Sequence, residues 1–182
     1  FRQLYTFGNA DRDPRTRVIT TVYLSMTPAE NIKMTSAGDD AMDTGWFTIQ
    51  KITTTSDGYE RKSVLMLDEE EKGIHLRYEI YDTACDNYVQ TRSKLLDSSN
   101  AKLAADHIKA INMAIDVVRN RAASTGIMFN LLPKECTLRE IQEVYEAIVN
   151  HPVDTGNFRR DIKKMLVATG NTTIVNGRKV AT

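Results

Sequence analysis

The stretch that most restricts what this chain can fold into is Thr137-Leu138-Arg139-Glu140. In an S/T-x-x-E pattern the hydroxyl accepts from the amide three residues on, while the carboxylate reaches back to the Thr amide, so a helix starts there. Leu138, Ile141, Tyr145 and Ile148 then make one apolar stripe, and Asn150-His151-Pro152 stops it, because the residue before proline is pushed out of helical geometry. Asp154 can cap a second helix running to about Val167, with Phe158, Ile162 and Met165 or Leu166 as its apolar positions. After Gly170, the segment Thr172 to Val180 reads as two short strands around Asn176-Gly177, the strongest short-range hairpin signal. Helix, turn, helix, hairpin is the order of a winged helix, a unit whose second helix enters the DNA major groove.

Charge sharpens that reading. Lys and Arg number 24 against 24 Asp and Glu, so the whole chain carries no net field. Between Thr155 and Thr182, however, Arg159, Arg160, Lys163, Lys164, Arg178 and Lys179 face the single acid Asp161. The four on the second helix recur at i, i+1, i+4 and i+5, which groups them on one face opposite Phe158, Ile162 and Met165. Arg178 and Lys179 follow the hairpin tip, where a wing would touch backbone phosphate. Asn157, at the helix start, is the candidate for a base edge. A charged outer face that only keeps a small domain in solution is the bland alternative. Against it, the first helix carries Glu140, Glu143 and Glu146, a polar face of opposite sign that solubility does not require.

Upstream, the residues around Phe1–Phe7 and Val18–Met26 are rich in β-branched and aromatic side chains and read as strands. Residues 27–44 read as a loop, and Trp46 to Gln50 as a short strand in which Trp46 and Phe47 are expected in the core. Arg61–Asp68, Ile74–Tyr81 and Tyr88–Thr91 form a meander turned at Asp57-Gly58, Lys72-Gly73 and Asp86-Asn87. Ile108, Ile111, Ile115 and Val118 predict a long helix from Leu103 to Ala123, closed by Thr125-Gly126, after which Ile127–Leu132 reads as extended. Cys85 and Cys136 lack the spacing of a disulfide framework or zinc site, and no apolar run approaches the length of a membrane span. No membrane partner is expected.

Several of these segments resemble a known family. TLREIQEVYEAIV, VDTGNFRRDI and GRKVAT are similar to the C-terminal winged helix of the Nudix-related transcriptional regulators, bacterial repressors of NAD-linked and sugar metabolism. QLYTFGNADRDPRTRVITTVYL resembles the strand-turn-strand of their Nudix domain, AGDDAMDTGWF its next loop and strand, and LAADHIKAINMAIDVVRNRA its last long helix. In that family the RDPR turn follows the Nudix box, so the resemblance implies that this chain begins after the box.

The implied fold is α+β: a partial Nudix-like mixed β-sheet with a long helix over residues 1–126, and a winged helix over 127–182. Residues 49–100 stand as a β-rich insertion. The implied function is a cytoplasmic, dimeric regulator that binds operator DNA and senses a nucleotide-sugar effector such as ADP-ribose. The alternative is a Nudix hydrolase whose catalytic box lies outside this chain, and a weaker one is a protein-interaction module. No cofactor is expected in this chain, with magnesium expected only in a complete Nudix domain.

The run Asp11-Arg12-Asp13-Pro14-Arg15 leaves two readings open. Either Arg12 and Arg15 pair with Asp11 and Asp13 in a solvated connection, or they face the phosphates of the effector, for which guanidinium geometry is suited. Glu70-Glu71-Lys72-Gly73-Ile74 imitates the close of a Nudix box, but Met66 and Leu67 stand where Arg-Glu should, so Glu69–Glu71 is expected to be a solvated hairpin turn without a metal. The three His residues are scattered, and Asp106-His107 is expected to serve the start of the long helix.

Overall fold

The computed structural model describes residues 2–10, 16–31, 44–104, 106–122, 124–175 and 178–182. The elements are β1 (Arg2–Phe7), β2 (Thr20–Leu24), β3 (Thr48–Ser56), β4 (Glu60–Glu69), β5 (Ile74–Cys85), β6 (Tyr88–Leu95), α1 (His107–Ala122), α2 (Leu138–Val149), α3 (Thr155–Ile162), β7 (Thr172–Val175) and β8 (Arg178–Ala181). The architecture is α+β, as the sequence implies. Among the described residues the strands fall into three sheets, β1-β2, β3-β4-β5-β6 and β7-β8. Where the resemblance implies a mixed sheet, the pairings among β3 to β6 and between β7 and β8 are all antiparallel.

Two compact units divide the chain, Gln3–Tyr23 with Lys33–Met113, and Phe1–Arg2 and Leu24–Ile32 with Ala114–Thr182. In the first, the register sets Lys51 opposite Leu65 and Leu65 opposite Tyr78, and likewise Ser63 opposite Ile80. Because side chains alternate across a strand, these fall on one face with Leu67, Leu76 and Asp82, and all are buried. Ile108 and Asn112 of α1 are buried as well, and Asn112 Nδ2 donates to Asp82 Oδ1 at 3.2 Å, which lays the start of the helix on that face.

Asp82 is the charged centre of this layer. Its carboxylate accepts from Arg61 Nη2 at 2.8 Å and Thr91 Oγ1 at 2.7 Å, with the buried Lys51 Nζ at 3.7 Å. Burial pushes the Asp82 carboxyl up, but the Arg61 and Thr91 hydrogen bonds and the Lys51 charge outweigh it and hold it below the usual carboxylate range.

The second unit has its own core of Met128, Leu132, Ile141, Phe158 and Ile162, with Val144, Tyr145, Ile148 and Leu166 packed around it. Four expectations are corrected here. Ile127–Leu132 is not extended: Gly126, at φ 60, opens a 3-10 turn over Ile127–Leu131 that buries Met128, and a short apolar run does not distinguish these states by period. The second helix does not run to Val167, since α3 ends at Ile162 and tightens into a 3-10 turn at Lys163–Met165. Met165 is consequently 45% exposed, and Leu166 takes the inward place. Leu138, expected in the buried stripe, sits in the first turn and is exposed.

Corrections also fall in the first unit. Trp46, expected in the core, is 59% exposed, because it precedes β3, an edge strand whose residues are mostly exposed. The strand itself extends past Gln50 to Ser56, since the β-branched run Ile52-Thr53-Thr54-Thr55 suits an exposed edge. Glu69 is buried rather than solvated, its Oε2 accepting from Lys72 N at 2.5 Å to close the β4–β5 turn, while Glu70 and Glu71 are exposed. The long helix starts at His107 rather than Leu103, whose amide donates to Tyr78 Oη instead.

Candidate nucleic-acid interface

The site is built from the turn outward. Thr137 Oγ1 accepts from Glu140 N at 3.2 Å and Glu140 Oε2 accepts from Thr137 N at 2.6 Å, so the capping box predicted at this position forms and fixes the start of α2. At the other end Asn150 adopts φ 62 and ends the helix, and Arg119 Nε donates to the Ile148 carbonyl at 2.9 Å. Glu146 Oε1 then accepts from Gln142 Nε2 and from Val153 N, both at 3.0 Å, tying the connecting turn back to α2. Asp154 Oδ1 accepts from Asn157 N at 2.8 Å and caps α3. Phe158 and Ile162 pin α3 from beneath, the Phe158 ring lying 5.2 Å from that of Tyr145.

With Phe158 and Ile162 turned inward, Asn157, Arg159, Arg160, Lys163 and Lys164 are all exposed. Four of these are cations, Arg159 and Arg160 on α3 and Lys163 and Lys164 on its 3-10 extension, away from the buried Phe158 and Ile162. Arg159, Lys163 and Lys164 make no ion pair with a described residue, and Arg160 Nε has Asp161 Oδ1 at 3.4 Å with both side chains largely in solvent. Apart from that exposed Arg160–Asp161 pair, nothing internal to the described fold uses these charges. A surface of this kind can neutralise phosphate and aim guanidinium groups at base edges.

The opposite polarity of the first helix has a different origin from the one expected. Glu140 completes the capping box, Glu146 holds the turn, and Glu143 pairs with Arg139 at 2.7 Å. Glu140 and Glu146 thus serve the ends of α2, Glu143 stays in an exposed pair, and the surface suited to DNA is that of α3 alone.

The wing follows. Thr172 pairs with Ala181, Thr173 with Val180, Ile174 with Lys179 and Val175 with Arg178. Thr182 N donates to the Asn171 carbonyl at 3.2 Å, and Asn171 Nδ2 reaches both Glu135 oxygens at 3.0 and 3.1 Å, anchoring the hairpin to the segment before α2. Arg178 and Lys179 thus open the outgoing strand. The predicted Asn176-Gly177 turn lies outside the described residues, as do Arg12 and Arg15.

One residue of this surface is missed by a reading that looks for charge. Gly156 stands at i relative to Arg159, Arg160 and Lys163 at i+3, i+4 and i+7, and is exposed among them. That spacing was available in the sequence. Among the described residues no group of His, Cys, Asp and Glu is placed to hold a metal ion, and no helix is long and apolar enough to cross a membrane.

Comparison with known proteins places this geometry. Residues 128–182 match the family described as the NrtR DNA-binding winged helix domain. The ADPR responsive transcriptional repressor NtrR of Acinetobacter baylyi is 34% identical over 58 residues, which cover 32% of this chain and 23% of that protein. The crystal structure of Shewanella oneidensis NrtR superposes with a TM-score of 0.55 at 20% identity, covering 99% of this chain and 61% of the other. The same protein complexed with a 27mer DNA gives 0.56 at 21% identity, with the same coverage. The chain thus spans less than two thirds of the length of these relatives, and at such identity the solved structures speak to the fold. Over residues 128–182 the resemblance to the winged helix of the Nudix-related transcriptional regulators is borne out.

Proposed function

We propose, from the premise that residues 128–182 are a winged helix of the NrtR DNA-binding type, that this chain belongs to a transcriptional regulator that binds operator DNA and responds to a nucleotide-sugar effector. The observation that carries the DNA half is the exposure of Asn157, Arg159, Arg160, Lys163 and Lys164 on a helix whose other side is buried through Phe158 and Ile162. In this reading α3 lies in the major groove. Arg159, Arg160, Lys163 and Lys164 meet phosphate and base edges, Asn157 reads a base near the helix start, and Arg178 and Lys179 bring the wing to the adjacent backbone. The regulator works in the cytoplasm as a homodimer, so that two such helices address two half-sites.

The effector half rests on the repressor of Acinetobacter baylyi being ADPR responsive, and on the guanidinium chemistry of Arg12 and Arg15, which suits a diphosphate. Binding of an ADP-ribose-like ligand biases two arrangements that differ in the spacing of the recognition helices. The test is enrichment of duplexes by this chain from a random-sequence pool, followed by titration of ADP-ribose against the complex. A recurrent enriched sequence whose affinity changes with ADP-ribose supports both halves. Enrichment that ADP-ribose leaves unaltered removes the effector half for this chain, and absence of enrichment removes the reading as a whole.

A further inference from the structure

The glycine that opens the cationic face of α3, one turn before Arg159 and Arg160, answers to no requirement of the described fold. Gly156 is in the first turn of α3 and is not among the described glycines with positive φ, which are Gly58, Gly73, Gly126 and Gly170. A Cβ at Gly156 would meet only Asp154 Oδ1, at 3.4 Å, an ordinary contact. At Gly126, by contrast, φ is 60 and a Cβ would lie 3.0 Å from the Phe129 ring, so there the backbone and the packing both call for glycine. Nothing comparable holds at Gly156. Local physics opposes it, since glycine is the poorest helix former after proline, and α3 is a helix of 8 residues with few turns to spare.

What remains is the space outside the helix. At about 100° per residue, Arg159 projects roughly 60° to one side of Gly156 and Arg160 about 40° to the other, with Lys163 between them one turn further on. The bare backbone of residue 156 therefore lies on the same face as these cations, at its N-terminal edge. We infer that Gly156 is an affinity-determining position of the proposed DNA interface: its missing side chain lets the first turn of α3 press against the groove, within reach of Arg159, Arg160 and Lys163. A side chain there would stand between helix and DNA and hold the cations off by about its own thickness. This inference rests on the DNA-binding reading.

The experiment uses the full chain, a duplex it has enriched from a random pool, and the variants Gly156→Ala and Gly156→Leu, both better helix formers than glycine. Thermal melting and fluorescence anisotropy are measured on each. The expected result is a melting temperature equal to or above that of the wild type, with affinity about tenfold lower for Ala, the scale of one lost base contact, and lower still for Leu. Undiminished affinity in both variants overturns the inference. A melting temperature that falls in step with affinity also overturns it, because the glycine would then serve the fold. A wild-type chain that enriches no duplex overturns the DNA-binding reading itself, and the inference with it.

Discussion

Truncating Phe158 to Ala should uncouple the two properties that the C-terminal unit combines, a packed underside and a charged outer face. Phe158 is 8% exposed, lies among Met128, Leu132, Ile141 and Ile162, and keeps its ring 5.2 Å from Tyr145. Removing a buried Phe ring costs about 3 to 5 kcal/mol, of which the tilted ring pair accounts for roughly 0.5 to 1.5. A unit this small sits at the low end of the usual range of about 5 to 15 kcal/mol, so a loss on that scale leaves α3 substantially unanchored. The variant keeps every cation and should nevertheless lose most of its DNA affinity. Urea denaturation gives the energetic cost, and hydrogen exchange over Leu138–Ile162 locates it. A cost below about 1 kcal/mol, or full affinity with α3 protection lost, would refute the claim that the buried side of α3 is what presents its charges.

Two further outcomes follow from the same structure. Thr137→Ala removes the hydroxyl half of a capping box whose Thr is 1% exposed, and should lower stability by about 1 kcal/mol in a thermal or denaturant melt; an unchanged midpoint would show that Glu140 alone holds the helix start. The Asp82 carboxyl is held below its usual range by Arg61, Thr91 and Lys51 against the opposing effect of burial. A depressed folded pKa makes its contribution complete above the ordinary aspartate value and lost as pH falls through the folded value. Stability measured by denaturant at descending pH should therefore fall below about pH 4, less steeply in Asp82→Asn; equal slopes for the two proteins would contradict the assignment.

How much of this was legible depends on how local the controlling physics is. The capping box at Thr137 and the Asp154 cap are contacts between residues three apart, and both form as the pattern predicts. The cationic face of α3 was likewise visible as spacing. What the pattern does not carry is the partner of each polar group. Glu146 reads as part of an acidic surface until Val153 N is found on it, and Glu69 reads as a solvated turn until its carboxylate is found closing that turn. Trp46 and Met165 read as core because they are large and apolar, but an edge strand and the tightening of the last turn of α3 leave both outside. Ile127–Leu132 was beyond reach for another reason, since six mostly apolar residues suit a buried strand and a buried turn equally. Gly156 was missed because a search for charge passes over the uncharged residue one turn before the first cation.

The central claim, that the outer face of α3 meets nucleic-acid phosphate, is tested most directly by the salt dependence of binding to an enriched duplex, wild type beside Lys163→Ala. Each phosphate neutralised contributes about 0.9 to the slope of log affinity against log salt. The account predicts a steep slope for the wild-type chain, a slope shallower by about one for Lys163→Ala, and the same melting temperature for both. A wild-type affinity indifferent to salt, or identical slopes for the two proteins, would contradict it.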